Sequence, residues 1–186
     1  MGASALTAKE RAVTSRPGLY IVPTDRWYIE RSVWFIAGIV ILAFSALAYG
    51  AGPLWVLGVV ATAAVSINVA LTGFCPVGNV LAKLRFPPAL ARPGWKPGDL
   101  YFMQTDNWYL ERRIYVAVGI NLTVASLLSL LYSPNWLFFT AFVGGAMVWF
   151  ASTGFCIMAN MLYRMGAEPR LAPGAPARPQ PAGVAP

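Results

Sequence analysis

Two stretches of about fifty residues contain no charged side chain at all, Ser32 to Ala82 and Ile114 to Tyr163. Soluble domains carry about a quarter charged residues; this 186-residue chain carries 11%. Tracts of this kind are stable with lipid as their solvent, and each far exceeds the roughly 20 residues that one crossing needs. Each breaks once near its middle, at Tyr49-Gly50-Ala51-Gly52-Pro53 and at Tyr132-Ser133-Pro134-Asn135. Glycine and proline in that setting mark a tight turn between antiparallel helices. The predicted spans are therefore residues 33–50, 54–73, 114–132 and 136–154, each about 27–30 Å long at ~1.5 Å per residue. The fold class is an all-α integral membrane protein with four transmembrane helices.

Charge sets the expected orientation. All 14 Lys/Arg and all seven Asp/Glu lie before, between or after the two tracts, and neither turn carries any. The positive-inside bias then puts both termini and the 83–113 connector in the cytoplasm of a bacterial inner membrane, with both turns outside. Ser45-Ala46-Leu47-Ala48 resembles the small-residue end of a signal peptide. The region before it is long and mixed in charge, and the apolar run continues past it, so cleavage is not expected.

Displacing the sequence by 81 positions superimposes its halves without a gap. Tyr20, Thr24, Asp25, Trp27, Tyr28, Glu30 and Arg31 fall on Tyr101, Thr105, Asp106, Trp108, Tyr109, Glu111 and Arg112. Thr72-Gly73-Phe74-Cys75 falls on Thr153-Gly154-Phe155-Cys156, and Asn79 on Asn160. A shared apolar bias does not place such words at one common offset, so the chain reads as an internal repeat. The expected organisation is an N-terminal cytoplasmic arm (1–19), a first membrane hairpin (20–84), a Pro-rich connector (85–100), a second hairpin (101–164) and a disordered Pro/Ala-rich tail (165–186). Each unit crosses twice, so the two hairpins enter in the same sense, as parallel repeats about an axis along the membrane normal.

The repeated words suggest local roles. Thr24 or Asp25, and Asp106 in the copy, suit a helix N-cap. Trp27, Tyr28, Trp108 and Tyr109 suit the headgroup layer, with Arg31 and Arg112 snorkelling to the surface. Glu30 and Glu111 need a partner beside lipid, and Arg31, Arg112 or Arg113 is the expected one. Cys75 and Cys156 end the second and fourth spans, where the twofold would bring them near each other. They are either small packed residues or thiols with a sulfur or redox role, and a short helix starting at Pro76 would place a sulfur at a helix N-terminus, which favours thiolate. Asn68 and Asn121 share a depth and could hydrogen-bond across the bundle. Residues 79–86 form an amphipathic helix candidate for the interface.

Composition excludes several chemistries. With no histidine, the commonest near-neutral base and haem or pigment ligand is absent. Two cysteines are too few for a closed zinc or iron–sulfur site within one chain. No metal and no intrinsic cofactor is expected. The net charge of +7 suits an anionic leaflet better than nucleic acid, since no soluble domain presents a basic face.

The Asp25-Arg26 entry, the hairpin and the Thr72-Gly73-Phe74-Cys75-Pro76 exit together resemble the small two-helix membrane domain of unknown function found in YgaP-like inner-membrane rhodaneses. The resemblance covers residues 20–84 and again 101–164, with Asn107 in place of Arg26 and Ile157 in place of Pro76 in the second copy. It singles out Asp25, Arg26, Cys75, Asp106 and Cys156, and implies a link to sulfur transfer, although no rhodanese domain is present. The leading expectation is a non-catalytic accessory or scaffold subunit, contacting lipid and other integral membrane subunits, with an energy-transducing or photosynthetic complex as one host. The alternatives are thiol or sulfur handling by Cys75 and Cys156, and passage of a small solute through the bundle.

Overall fold

Without water to satisfy its amides, an apolar tract in lipid must close its backbone hydrogen bonds internally, and helices do so within one segment. A computed structural model describes residues 18–171. Helix α1 (Ile29–Gly50) is followed by a 3-10 turn (Pro53–Trp55) that runs into α2 (Val56–Thr72). A short α3 (Pro76–Lys83) precedes the connector. Then come α4 (Leu110–Leu131), a second 3-10 turn (Pro134–Trp136), α5 (Leu137–Thr153) and a short α6 (Ile157–Arg164). Four stretches, Ile29–Gly50, Pro53–Thr72, Leu110–Leu131 and Pro134–Thr153, are long and apolar enough to cross a membrane. Residues 1–17 and 172–186, which hold most of the expected arm and tail, lie outside the described residues.

Helices α1 and α4 start at Ile29 and Leu110, four residues before the spans expected from charge alone. The glutamate and arginine in each first turn are buried rather than solvated, so charge did not mark the helix ends. Tyr28 and Tyr109 are the N-cap residues, and neither caps with its side chain. Thr24, Asp25 and Asp106 therefore do not cap these helices. Their role passes to a distant backbone: Ile29 N–H donates to the Pro87 carbonyl at 3.0 Å, and Leu110 N–H to that of Glu168 at 2.9 Å.

The extensive interfaces are α1 with α5 and α2 with α4, each larger than those within a hairpin. Small residues permit this closeness. A Cβ on Gly38 would lie 2.7 Å from the Gly144 carbonyl oxygen, and one on Gly119 3.0 Å from that of Ala63. Ser45 and Thr140 share a hydroxyl–hydroxyl bond of 2.6 Å between α1 and α5. Trp34 and Tyr115, which stand 81 positions apart, touch with ring centroids 6.3 Å apart. Trp34 also stacks on Phe150 at 4.6 Å.

At the end of the bundle holding the charged residues, α3 and α6 expose Val80 and Leu84, and Met161 and Met165, at four-residue spacing. That is the amphipathic pattern expected for 79–86, displaced to Pro76–Lys83 and present twice. Residues 165–171, grouped with the tail by composition, instead pack on the bundle, where Ala167 and Leu171 are buried.

Candidate functional site

The charged end is organised around two buried carboxylates. Each follows the first residue of a spanning helix, close to that helix's unpaired amides. Glu30 accepts hydrogen bonds from Ala89 N–H (3.0 Å), Leu90 N–H (2.6 Å) and the Tyr101 hydroxyl (2.7 Å). Glu111 accepts from Arg170 N–H (3.0 Å), Leu171 N–H (2.8 Å) and the Tyr20 hydroxyl (2.9 Å). The two sets match position for position at the offset of 81. No arginine side chain pairs with either glutamate among the described residues, so the expected bridges to Arg31, Arg112 or Arg113 are replaced by backbone amides and a tyrosine. A buried carboxylate needs several donors to offset its lost hydration, and three are supplied.

Each tyrosine comes from the other half of the chain and is itself clamped. Asn160 accepts from Tyr20 N–H at 2.7 Å and donates to the Tyr20 carbonyl at 2.9 Å. Asn79 treats Tyr101 the same way, at 2.8 and 2.9 Å. Burial first, and then the adjacent Glu111 or Glu30, pushes both phenols well above their ordinary range, so they remain donors.

Arg31 and Arg112 do not snorkel; they are 5% and 7% exposed. Arg31 Nε donates to the Ala151 carbonyl at 2.6 Å, and Arg112 Nε to that of Ala70 at 2.5 Å. Each guanidinium thus closes the C-terminal turn of a helix in the other half, where orphan carbonyls and the dipole favour a cation. Nη1 of each returns to its own entry loop, to the Thr24 and Arg26 carbonyls or to those of Thr105 and Asn107. Trp27 and Trp108, both about half exposed, lie under these guanidinium groups at 4.2 and 3.9 Å. Tyr28 and Tyr109, expected beside them at the headgroups, are buried instead.

The exit segments turn on glycine. Gly73 (φ 79°) and Gly154 (φ 76°) end α2 and α5 in the left-handed conformation that favours glycine. Their carbonyls accept from Met103 N–H at 2.8 Å and Val22 N–H at 3.0 Å. The turn delivers Cys75 and Cys156 to the N-cap positions of α3 and α6. Cys75 Sγ accepts from Gly78 N–H at 3.2 Å. Both cysteines are free; Cys75 is buried and Cys156 half-buried. Burial pushes both thiols up, outweighing the amides of the following turn that pull them down.

The intramembrane amides do not meet. Asn68 donates to the Phe74 carbonyl at 3.1 Å and Asn121 to that of Ala117 at 2.8 Å, so each serves its own backbone and the bond across the bundle is absent. Among the described residues, no group of three Cys, Asp or Glu side chains converges as a metal site would.

Sequence reasoning missed the clasp. Tyr20, Tyr101, Asn79 and Asn160 stand at the common offset, but nothing in their sequence context signals this role. Pro88 and Pro169, with Leu90 and Leu171, continue that match past residues 84 and 164.

Four apolar helices with their charged groups gathered at one end define a multi-pass integral membrane protein. More specifically, residues 28–87 match the family model described as "Inner membrane protein YgaP-like, transmembrane domain", and this part of the chain is similar to that domain. The match covers about a third of the chain, from the N-cap of α1 to the proline whose carbonyl caps it. It includes Cys75 but not Asp25 or Arg26. The helices at 110–131 and 134–153 form a second, similar pair outside it. No curated protein and no solved structure matches the chain.

Proposed function

We propose that this chain is a non-catalytic scaffold or accessory subunit of a larger complex in the bacterial inner membrane, built as two parallel hairpin repeats with both termini in the cytoplasm. The observation that carries this reading is how the buried polar side chains are used. Glu30, Glu111, Arg31, Arg112, Asn79 and Asn160 all make bonds between the two halves of the chain. Such groups build a rigid body and leave none of these six for a substrate. The outer face of α5 adds a docking flank: Phe138, Phe142 and Trp149 are each more than 60% exposed. Their counterparts on α2 are Leu57, Ala61 and Asn68, so this aromatic surface belongs to one side only. Aromatic side chains supply much contact area in packed interfaces.

The alternative of thiol chemistry draws support from the Cys75 sulfur at the N-terminus of α3, and is opposed by its burial. Purification of the tagged chain in mild detergent, with a photo-crosslinker at Phe142, tests the scaffold reading. A defined larger assembly should appear, its other subunits crosslinked at that position, and mass spectrometry would show whether the host is energy-transducing or photosynthetic. Recovery of the chain only as a free monomer or homodimer, with crosslinks to lipid alone, would overturn it.

A further inference from the structure

The two halves differ most where one arginine is missing. In the second half, the Arg170 guanidinium grips the Asp106 carboxylate with two bonds, of 2.8 and 2.7 Å, and donates to Gln104 Oε1 at 2.5 Å. It lies 4.0 Å over the Tyr109 ring, and the Tyr109 hydroxyl donates to the Gln104 carbonyl at 2.8 Å. Paired ionic bonds and an aromatic face suit a guanidinium far better than an ammonium.

The same frame stands in the first half without its occupant. Asp25, Tyr28 and Pro23 replace Asp106, Tyr109 and Gln104, and the position of Arg170 is taken by Ala89. The exposed Asp25 makes no side-chain bond or ion pair among the described residues. Tyr28 is 96% buried, its relative exposure being 4%, and its hydroxyl has no hydrogen-bond partner among the described residues. Between these residues, walled by Pro23, Pro87 and Ala89, is a cleft of about 300 Å³. An orphaned buried hydroxyl is costly unless something completes the site, and the exposed carboxylate beside it is open to a cationic partner.

The carboxylates of Glu30, Glu111 and Asp25 stand near enough to act on the Tyr28 phenol, with the Arg31 guanidinium opposing them. Two further cations line the cleft, Arg170 and Arg26. The charge of Arg170 is spent on Asp106. Arg26 stands where the second half has Asn107, and its charge would repel a cationic ligand.

We propose that Asp25 and Tyr28, with the wall formed by Pro23 and residues 87–89, are a receptor for a guanidinium group, filled by an arginine side chain of a partner protein as Arg170 fills the equivalent frame. That the arginine comes from a partner rests on the scaffold function above; the site itself does not.

The test uses the full chain in nanodiscs, titrated with N-acetyl-arginine-amide and with N-acetyl-lysine-amide and inorganic phosphate as comparisons, followed by NMR shifts or thermal stability. Saturable binding of the arginine probe, about tenfold tighter than the lysine probe, is expected, as is loss of about tenfold in Asp25→Asn. Arg26→Asn should tighten binding. Ala89→Arg should abolish it while raising the melting temperature, and that rise should vanish in Asp25→Asn/Ala89→Arg. Equal binding of lysine, stronger binding of phosphate, or no effect of Asp25→Asn would overturn the site. Probe binding that appears only after Arg16→Gln or Arg178→Gln would make the chain its own donor and overturn the partner assignment. Arginine binding by a protein that purifies alone would refute the scaffold and leave the site. An assembly unaffected by Asp25→Asn would refute the arginine contact and leave the scaffold.

Discussion

Replacing Tyr101 by phenylalanine isolates the bond that joins the two halves at Glu30. The ring stays, so the packing of this side chain, 2% exposed, is unchanged. What is lost is one 2.7 Å bond to a carboxylate that no water can reach, Glu30 being 1% exposed. Bonds to charged groups contribute about 1.5–3 kcal/mol. Because Glu30 keeps the amides of Ala89 and Leu90, the cost should be about 2 kcal/mol. The assay is reversible SDS-induced unfolding in bicelles, followed through the chain's seven tryptophans. The charge can be separated from the geometry by a double-mutant cycle. In a Glu30→Gln background the bond is between neutral groups, and Tyr101→Phe should cost only about 1 kcal/mol. Tyr20→Phe should repeat the result at Glu111. A Tyr101→Phe protein within about 0.5 kcal/mol of wild type, or an equal penalty in both backgrounds, would show that the carboxylate does not depend on the tyrosine.

Other consequences concern the turn, the guanidinium groups and the thiols. Gly73→Ala and Gly154→Ala add left-handed strain and set a methyl against the carbonyl of Met103 or Val22; each should cost about 2 kcal/mol or more in the same unfolding assay, whereas Gly145→Ala, with open space around it, should be neutral or stabilising. Arg112→Lys keeps the charge but loses the fork that reaches Ala70, Thr105 and Asn107 together, so it should cost about 3 kcal/mol, nearly as much as Arg112→Ala; exposed Arg113→Lys should stay within about 0.5 kcal/mol. Maleimide labelling of the folded protein should be slow at neutral pH and faster at Cys156 than at Cys75, rising only at pH values above the usual thiol range of about 8.5. Because the folded state holds these thiol protons more tightly than the unfolded chain, stability should fall as pH rises from about 8.5 towards the folded value, and cysteine-to-alanine variants should lose that slope.

The parts of the fold governed by solvent were legible in the chain itself. Lack of charge located four helices, and Gly50 to Pro53 and Ser133-Pro134 located the turns, because lipid leaves an apolar tract few alternatives. The same rule misplaced the helix starts, since it takes Glu30 and Arg31 to mark water. Their partners are carbonyls and amides up to 121 positions away, and backbone donors carry no sequence signature. The helix after Cys75 followed from Pro76, yet Cys156 stands at the N-cap of an equivalent helix with isoleucine at that position, so the left-handed glycine and the backbone bond to its carbonyl, more than proline, direct the chain. Trp27 could be placed at the surface from its chemistry; Tyr28 could not, because burial on one side of a helix start depends on what the other half lays over it.

The exchange of Tyr20 for Tyr101, and of Arg31 for Arg112, has a bearing on any chain that carries a single copy of the hairpin. Alone, such a hairpin would have a tyrosine with no glutamate to meet and an arginine with no helix end to close. It would be expected to live as a homodimer, where every substitution is made on both sides at once. A polypeptide that carries two similar hairpins is free of that restriction, and an arginine at position 170 where the other half has an alanine at position 89 is the kind of lopsidedness that becomes available.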